Sequence, residues 1–131
     1  MGSPAINLIP AKVANNGKGT KFTIARSRGE PRMLFDDNIT KLPENVVLGL
    51  RPEDIGDAKL RKGDKLQIST WAVDVVEPAG ADTYVLTNLG GKEITARLQA
   101  KTAAQTGMEM VFTFNMDKLS YFYAQTGQWL N

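Results

Sequence analysis

Short blocks of alternating apolar and polar residues run through most of this chain, and turn-forming residues separate the blocks. In residues 108–116 every second position is apolar, and Thr113 is one of the polar positions between them. Residues 93–98 repeat the pattern. A period of two is typical of strands with one buried face, so both segments are predicted to be strands. Gly90-Gly91-Lys92 would form a hairpin turn from a strand at residues 83–89.

The apolar pattern changes phase within residues 65–77. Its apolar residues are Leu66, Ile68 and Ala72 at even positions, followed by Val73 and Val75 at odd positions. A continuous strand can change phase through a bulge, which bends it, and small barrels use bent strands to serve two sheet faces. We therefore predict one strongly curved strand here.

Turn residues also divide the N-terminal third of the chain. The turn-forming run at residues 15–19 precedes a strand predicted at 21–25, and the run at 28–31 precedes a strand predicted at 32–35. The N-terminal third is thus expected to consist of hairpins.

Helix signals are few. Acidic residues after Pro52 suit a helical turn at residues 52–58, and a second turn is plausible at 100–105. Closely spaced strands with so little helix predict an all-β fold class, a small OB-like barrel of short antiparallel strands. We expect a single domain over residues 1–131.

Composition excludes much chemistry. None of the 131 residues is a cysteine or a histidine, which removes the commonest metal ligands and the commonest general base. An enzyme would have to use adjacent carboxylates such as Asp36-Asp37 and Glu53-Asp54, but neighbours on a strand point to opposite faces. We therefore expect no catalytic, cofactor-binding or metal-binding residue in this chain.

Charge and hydropathy give only general indications. The net charge of +2 is too small to predict a nucleic-acid or membrane partner. No apolar run approaches the length of a bilayer span, and the N-terminus has no secretion signal. A cytosolic setting is the expectation.

Two motifs are more specific than the composition. In the first, which contains Gly49, Arg51, Pro52 and Glu53, an apolar strand stops at the proline. The proline ring fixes its own φ and favours an extended conformation at the preceding arginine. The second motif has the residues of a hairpin turn at its centre and consists of Glu77, Pro78, Gly80 and Thr83.

Together these motifs resemble the C-terminal OB-type (TOBE) regulatory domain of ATPase subunits in bacterial sugar-importing ABC transporters, the maltose-transporter ATPase family. Residues 2–8 are similar to the stretch that follows the ATPase domain in that family, and Phe122 with Thr126-Gly127 is similar to its closing segment. The resemblance implies a domain excised from a longer subunit. This chain has no phosphate-binding loop, so ATP and magnesium are expected only in the ATPase domain.

The resemblance also implies partners. It implies a homodimer, contact with the nucleotide-binding domain of the same subunit, a possible regulatory protein, and indirect association with membrane permease subunits. The subunit would be peripheral to the inner membrane. A cluster of aromatic residues near the C-terminus is difficult to bury in a small barrel and is the candidate interface. Its members are Tyr121, Phe122, Tyr123 and Trp129.

Three alternatives stay open. Arg51 and Glu53 could make an inter-domain contact, although a surface ion pair that closes the strand end is the simpler interpretation. An oxyanion sensor could use Ser69-Thr70 with Thr83 or Thr95, as related TOBE-type domains bind molybdate. An OB-fold nucleic-acid module could stack bases on its aromatic residues, but acidic residues nearly balance the basic ones, so packing in the core or in a dimer is favoured. These residues are Trp71, Tyr84, Tyr121, Phe122, Tyr123 and Trp129.

Overall fold

The fold consists almost entirely of strands. The computed structural model describes residues 6–15, 18–24, 32–36, 41–61, 63, 66–89 and 92–130. In order, the strands of this described part are β1 Asn7–Asn15, β2 Thr20–Ile24, β3 Arg32–Asp36, β4 Asn45–Leu50, β5 Ile55–Asp57, β6 Leu66–Ala72, β7 Val75–Ala79, β8 Asp82–Leu89, β9 Lys92–Gln99, β10 Glu109–Asn115 and β11 Ser120–Tyr123. Single 3-10 turns lie at Pro52–Asp54 and Met116–Lys118. The prediction of a mainly all-β, OB-like fold is confirmed.

The strands form three antiparallel sheets. The largest has the order β11-β4-β1-β2-β3, and the two smaller ones have the orders β5-β10-β6 and β7-β8-β9. The hairpin predicted between residues 83–89 and 93–98 is confirmed as the β8–β9 pair. Among the described residues, no helix has the length and apolar character of a membrane span.

A single cluster of buried apolar side chains connects the three sheets. At its centre the Trp71 ring lies 4.4 Å from the ring of Phe114 and 5.7 Å from that of Phe112, measured between centroids. The indole N–H of Trp71 donates to the Ser69 hydroxyl at 3.0 Å, so this large ring is buried with its polar atom satisfied.

The prediction of one curved strand over residues 65–77 is wrong. The chain instead forms two strands in different sheets, β6 and β7. Between them Val73 N–H donates to the Met108 carbonyl and Asp74 N–H donates to the Leu86 carbonyl, each at 2.8 Å. The backbone therefore passes directly from the sheet of β10 to the sheet of β8.

The structure decides which side of β6 faces the core. Trp71 is only 1% exposed, whereas Ile68 is 64% exposed, so the odd positions face the core. Burying a tryptophan removes more apolar surface from water than burying an isoleucine, and β-strand geometry allows only one of the two phases to face inward.

The helical turns are partly as predicted. The turn after Arg51 is confirmed but stops at Asp54, where β5 begins. The helical turn predicted at 100–105 is wrong, since only a tight turn forms before Thr102. The Thr102 hydroxyl donates to the Asp57 carboxylate at 2.6 Å, which holds this segment against the end of β5. The second 3-10 turn instead follows Asn115, whose side chain accepts from Asp117 N–H.

The N-terminal hairpins are present as antiparallel pairs β1–β2 and β2–β3. Ala25 and the predicted turn at 28–31 lie outside the described residues, as do parts of the turns at 15–19 and 90–92. The sequence pattern did not predict β1, because Pro10 lies in its middle and prolines are unusual there.

The Asn7 side chain joins two of the sheets. Its amide nitrogen donates to the Thr95 carbonyl at 2.7 Å, and its amide oxygen accepts from the Thr95 N–H at 2.9 Å. Asn7 is buried and lies on β1, whereas Thr95 lies on β9, an edge strand. One side chain thus supplies the donor and the acceptor that a neighbouring strand would otherwise provide.

Asn7→Ala is expected to lower the free energy of unfolding by about 2–3 kcal/mol, because it leaves both backbone groups of Thr95 unpaired. Asn7→Asp keeps the acceptor but places a carboxylate against the Thr95 carbonyl. Its defect should therefore be large at pH 7 and smaller at pH 4, where a protonated carboxyl can donate. Urea denaturation measures both variants. Exposed Asn88→Ala is the control, and an equal loss in it would contradict the assigned role.

Candidate functional site

The first motif forms a rigid corner after β4. Arg51 is extended, with φ −77° and ψ 152°, and Pro52 is buried. Arg61 donates from Nη1 to the Glu53 carbonyl at 2.8 Å, which ties the corner to the chain after β5. The Arg51 and Glu53 side chains are exposed. Within the described part of the chain neither makes a hydrogen bond or an ion pair, so the surface ion pair considered as the simpler interpretation does not form.

Asp54 is the acidic residue of this corner with a shifted pKa. Partial burial of the carboxyl raises its pKa above the usual value of 3.8. The charge of Glu53 raises it further, while a backbone hydrogen bond from Arg51 and the cation of Lys118 oppose the rise. The environment of Asp54 therefore disfavours the ionised form of its carboxyl.

The residues of the second motif form an edge strand and the hairpin turn that follows it. Glu77 and Pro78 lie exposed on β7, the edge strand of its sheet. Gly80 has φ 70° at the first position of a two-residue hairpin turn, where a left-handed conformation favours glycine. Thr83 is buried opposite Pro78. The motif shapes the β7–β8 hairpin, and it does not assemble a group of polar side chains.

Part of the outer face of the largest sheet is apolar. On β1, β4 and β11 every second residue points away from the core. Leu8 pairs with Gly49 and Val47 pairs with Phe122, so the outward residues of the three strands lie side by side. Leu8 is 47% exposed and Trp129 is 64% exposed. We call this surface the apolar face, and its residues are Ile6, Leu8, Val47, Gly49, Phe122 and Trp129.

Gly49 is where this face is most tightly packed. A Cβ atom added there would lie 2.7 Å from Phe122 Cε2 and 3.0 Å from Ile6 Cδ1. Both side chains therefore lie directly over the glycine, which explains why the first motif has no side chain at this position. The structure thus joins a motif residue, Gly49, to a candidate interface residue, Phe122.

The C-terminal segment folds back to complete the apolar face. Gly127 has φ 73° and donates its N–H to the Tyr123 carbonyl, forming a tight turn. After the turn, Leu130 N–H donates to the Tyr121 carbonyl, and Trp129 pairs with Phe122 as an antiparallel bridge. The closing Thr126-Gly127 segment therefore places Trp129 beside Phe122.

The aromatic cluster at residues 121–123 divides between two faces. Tyr121 is buried and stacks on Phe22 at 5.6 Å between ring centroids. Tyr123 lies on the same side of β11 as Tyr121 but at its end, where it is partly exposed. Of the candidate interface residues, Phe122 and Trp129 lie on the apolar face, and Tyr121 lies in the core.

The residues of the alternative functions do not converge. Ser69 and Thr70 are neighbours on β6 and so point to opposite faces, as do Thr83 and Thr95 across the β8–β9 pair. Trp71 is buried and cannot stack on a base. Asp37 lies outside the described residues, and among those described no group of acidic residues could hold a metal ion.

The sequence pattern did not predict two residues of the apolar face. Ile6 and Leu8 flank Asn7 at alternate positions, which is the signal of a strand with an exposed apolar side. Pro10 interrupts that pattern within β1, and the strand is therefore not apparent from the sequence.

Comparisons with known proteins agree with this structure. Residues 2–55 match the MalK OB fold domain, and residues 72–120 match the TOBE domain. The chain belongs to the MalK-type OB/TOBE domain family. The two matches meet in this fold, since β1 belongs to the first and β9, which Asn7 contacts, belongs to the second.

Relatives match nearly the whole of the chain. It is 33% identical, over 98% of its length, to the sn-glycerol-3-phosphate import ATP-binding protein UgpC of Cupriavidus metallidurans. It is 31% identical, over 96% of its length, to the multiple sugar-binding transport ATP-binding protein MsmK of Streptococcus mutans. The chain spans only 35% and 34% of these two proteins.

A solved structure shows the same fold. The cytoplasmic molybdate-binding protein ModG, crystallised with molybdate bound, superposes with a TM-score of 0.56 at 15% identity. The match covers 89% of this chain and 95% of ModG. At this identity the likeness concerns the fold alone.

Asp54→Asn should raise the melting temperature at neutral pH. The pKa of Asp54 is raised in the folded state, so ionisation of its carboxyl lowers the free energy of unfolding as the pH rises through that pKa. Below the unfolded-state pKa of about 3.9 the carboxyl is protonated in both states and this loss is absent. The gain from asparagine should therefore disappear below about pH 4. Thermal unfolding between pH 3 and 8 measures it, with Asp74→Asn as a control for removing a charge. A gain independent of pH would contradict the assignment.

Gly49→Ala is expected to destabilise the fold by about 1–2 kcal/mol, because the new methyl group overlaps the Phe122 ring. In a Phe122→Ala background the same change should be neutral or slightly stabilising, since alanine restricts the unfolded chain. Urea denaturation of the four proteins gives the coupling. Gly63→Ala is the control, as its Cβ would make only ordinary contacts of 3.4 Å or more. An equal cost in both backgrounds would refute the contact.

Proposed function

We propose that this domain is the non-catalytic regulatory and dimerisation domain of the ATP-binding subunit of a carbohydrate importer, and that the apolar face is its self-association surface. The observation that carries the proposal is the exposed apolar face itself. Contiguous apolar surface bordered by polar residues is the usual mark of a protein interface on a soluble domain.

The composition of this face suits an interface between two proteins. Phe122 and Trp129 are aromatic residues, which are enriched at the buried centres of interfaces. They are held by a short strand pairing and a glycine turn, so little side-chain freedom would be lost on association. Polar residues such as Lys12 and Asn45 continue the same strands beyond it.

The first motif suits a contact with another part of the subunit. Arg51 and Glu53 project from a corner fixed by buried Pro52 and by the Arg61 hydrogen bond. Exposed charges on a rigid support can complement an opposing surface without ordering a flexible loop. We propose that they face the nucleotide-binding domain of the same subunit.

The domain would act by holding two subunits together. Two copies joined through the apolar face would hold two ATPase subunits together at one end while their nucleotide-binding domains open and close. Regulatory proteins or ligands that favour one arrangement would then bias that cycle. The subunit would be cytoplasmic and reach the membrane through permease subunits, and ATP and magnesium would bind in the ATPase domain.

Sedimentation velocity of the isolated domain tests the association. We expect a reversible dimer in the wild type and at least about tenfold weaker association in Leu8→Lys, because the change buries an unpaired charge in the contact. Val75→Lys is the matched control, as Val75 is 42% exposed on a different sheet. A monomeric wild type at about 1 mM, or an equal effect of both variants, would refute the proposed surface.

A further inference from the structure

A small pocket lies on the outer side of β10, away from the apolar face. Its volume is about 190 Å³, and its lining residues are Ala58, Arg61, Gly63, Leu66, Ile68 and Thr113. One wall is apolar, formed by the Leu66 and Ile68 side chains of β6. Arg61 also lines the pocket, and none of the lining residues in the described part of the chain is acidic.

Thr113 contributes an unusual polar atom to this pocket. The residue is only 3% exposed, although it lies on the side of β10 opposite the core residues Phe112 and Phe114. Among the described residues its buried Oγ1 has no hydrogen-bond partner. Such a group costs free energy in a fold unless something supplies a partner, so unpaired buried hydroxyls often mark sites that bind a ligand or water.

Gly56 brings Thr113 and Arg61 to the same place. A Cβ atom added to this glycine would lie 2.8 Å from Thr113 Oγ1 and 2.8 Å from Arg61 Nε. The Thr113 hydroxyl and the Arg61 guanidinium therefore lie close to each other beside Gly56, near enough for different oxygens of one anion to contact both. The missing side chain of Gly56 leaves the room for this arrangement.

Arg61 is positioned by its neighbours. Its N–H and that of Leu60 both donate to the Asp57 carbonyl, at 2.8 and 2.9 Å, and the Asp57 carboxylate is itself held by Thr102 and by Lys59 N–H. Nη1 of Arg61 donates to the backbone carbonyl of Glu53, and this hydrogen bond restricts the orientation of the guanidinium. A fixed guanidinium retains further N–H donors in a geometry that matches oxyanions.

We propose that Arg61 and Thr113 form a binding site for a tetrahedral oxyanion, with phosphate or a phosphate monoester as the chemical class. Arg61 supplies the charge and forked donors, and the Thr113 hydroxyl donates to an anion oxygen. The site lies on a different sheet from the apolar face, so it does not depend on dimerisation.

Titration of the domain with inorganic phosphate tests the proposal. In two-dimensional NMR spectra we expect saturable shifts at the amides of Gly56, Arg61, Gly63 and Thr113. Arg61→Gln should weaken binding by about tenfold or more, because it removes the charge-assisted hydrogen bonds. Arg97→Gln removes a cation from another sheet and should leave the phosphate affinity unchanged.

Thr113→Val and Gly56→Ala make the test independent of charge. Thr113→Val should raise the melting temperature of the ligand-free domain by about 2–5 °C, since it removes an unpaired hydroxyl, and should reduce phosphate affinity. Thr70→Val on the neighbouring strand should do neither. Gly56→Ala should displace Arg61 and weaken binding without changing the net charge.

General salt effects must be separated from binding, because phosphate and sulfate raise the stability of many proteins. Only a phosphate-dependent rise that is larger in the wild type than in Arg61→Gln and Thr113→Val supports a site. An equal rise in all variants, shifts that never saturate, or unchanged affinity in Thr113→Val would each overturn the proposal.

Two sources of the anion can be distinguished in the same assay. Tighter binding of methyl phosphate than of inorganic phosphate would assign a phosphorylated metabolite, whose organic part could pack on Leu66 and Ile68. Tighter binding of inorganic phosphate, with competition by sulfate, would assign the free ion. A monomeric domain that binds phosphate would refute the dimer surface and leave this site intact.

Discussion

Unpaired backbone groups along the edges of small sheets are the constraint on which the rest of this structure depends. Three sheets in one small domain expose many edges, and each exposed edge is open to unwanted pairing. The Asn7 amide closes the edge of β9, residues 128–130 cover β11, and Pro78 lies within the edge strand β7. For β9 the missing hydrogen bonds come from a residue distant in sequence, and for β11 they come from the segment that follows it in the chain. These closures hold the sheets around one core.

The apolar face is a consequence of the same closures. The C-terminal segment that covers β11 also carries Trp129 onto the outer face of the sheet, beside Phe122 and over the tight contact at Gly49. A domain that needed only to close its edge could do so with polar residues. Exposed aromatic residues at this position are instead what the proposed self-association surface requires.

Motif residues and candidate binding residues differ in this domain. The motif residues set the backbone conformation at corners and turns, as Pro52, Gly80 and Thr126-Gly127 show, and they do not supply binding side chains. The oxyanion site instead uses Arg61 and Thr113, which belong to no motif, and it depends on how three short segments meet around Gly56. A family motif can therefore identify a domain without indicating where that domain binds.

The sequence by itself determined the strand content, the β8–β9 hairpin, the corner at Pro52 and the family, because these depend on local periodicity, on proline and glycine conformations, and on residues close together in the chain. The tertiary structure decided that Trp71 rather than Ile68 faces the core, that residues 65–77 divide between two sheets, and that Tyr121 is buried while Phe122 is not. It also decided the contacts of Asn7 with Thr95 and of Arg61 and Thr113 around Gly56. These depend on which distant segments compete for the same space and the same hydrogen bonds, and no local pattern contains that information.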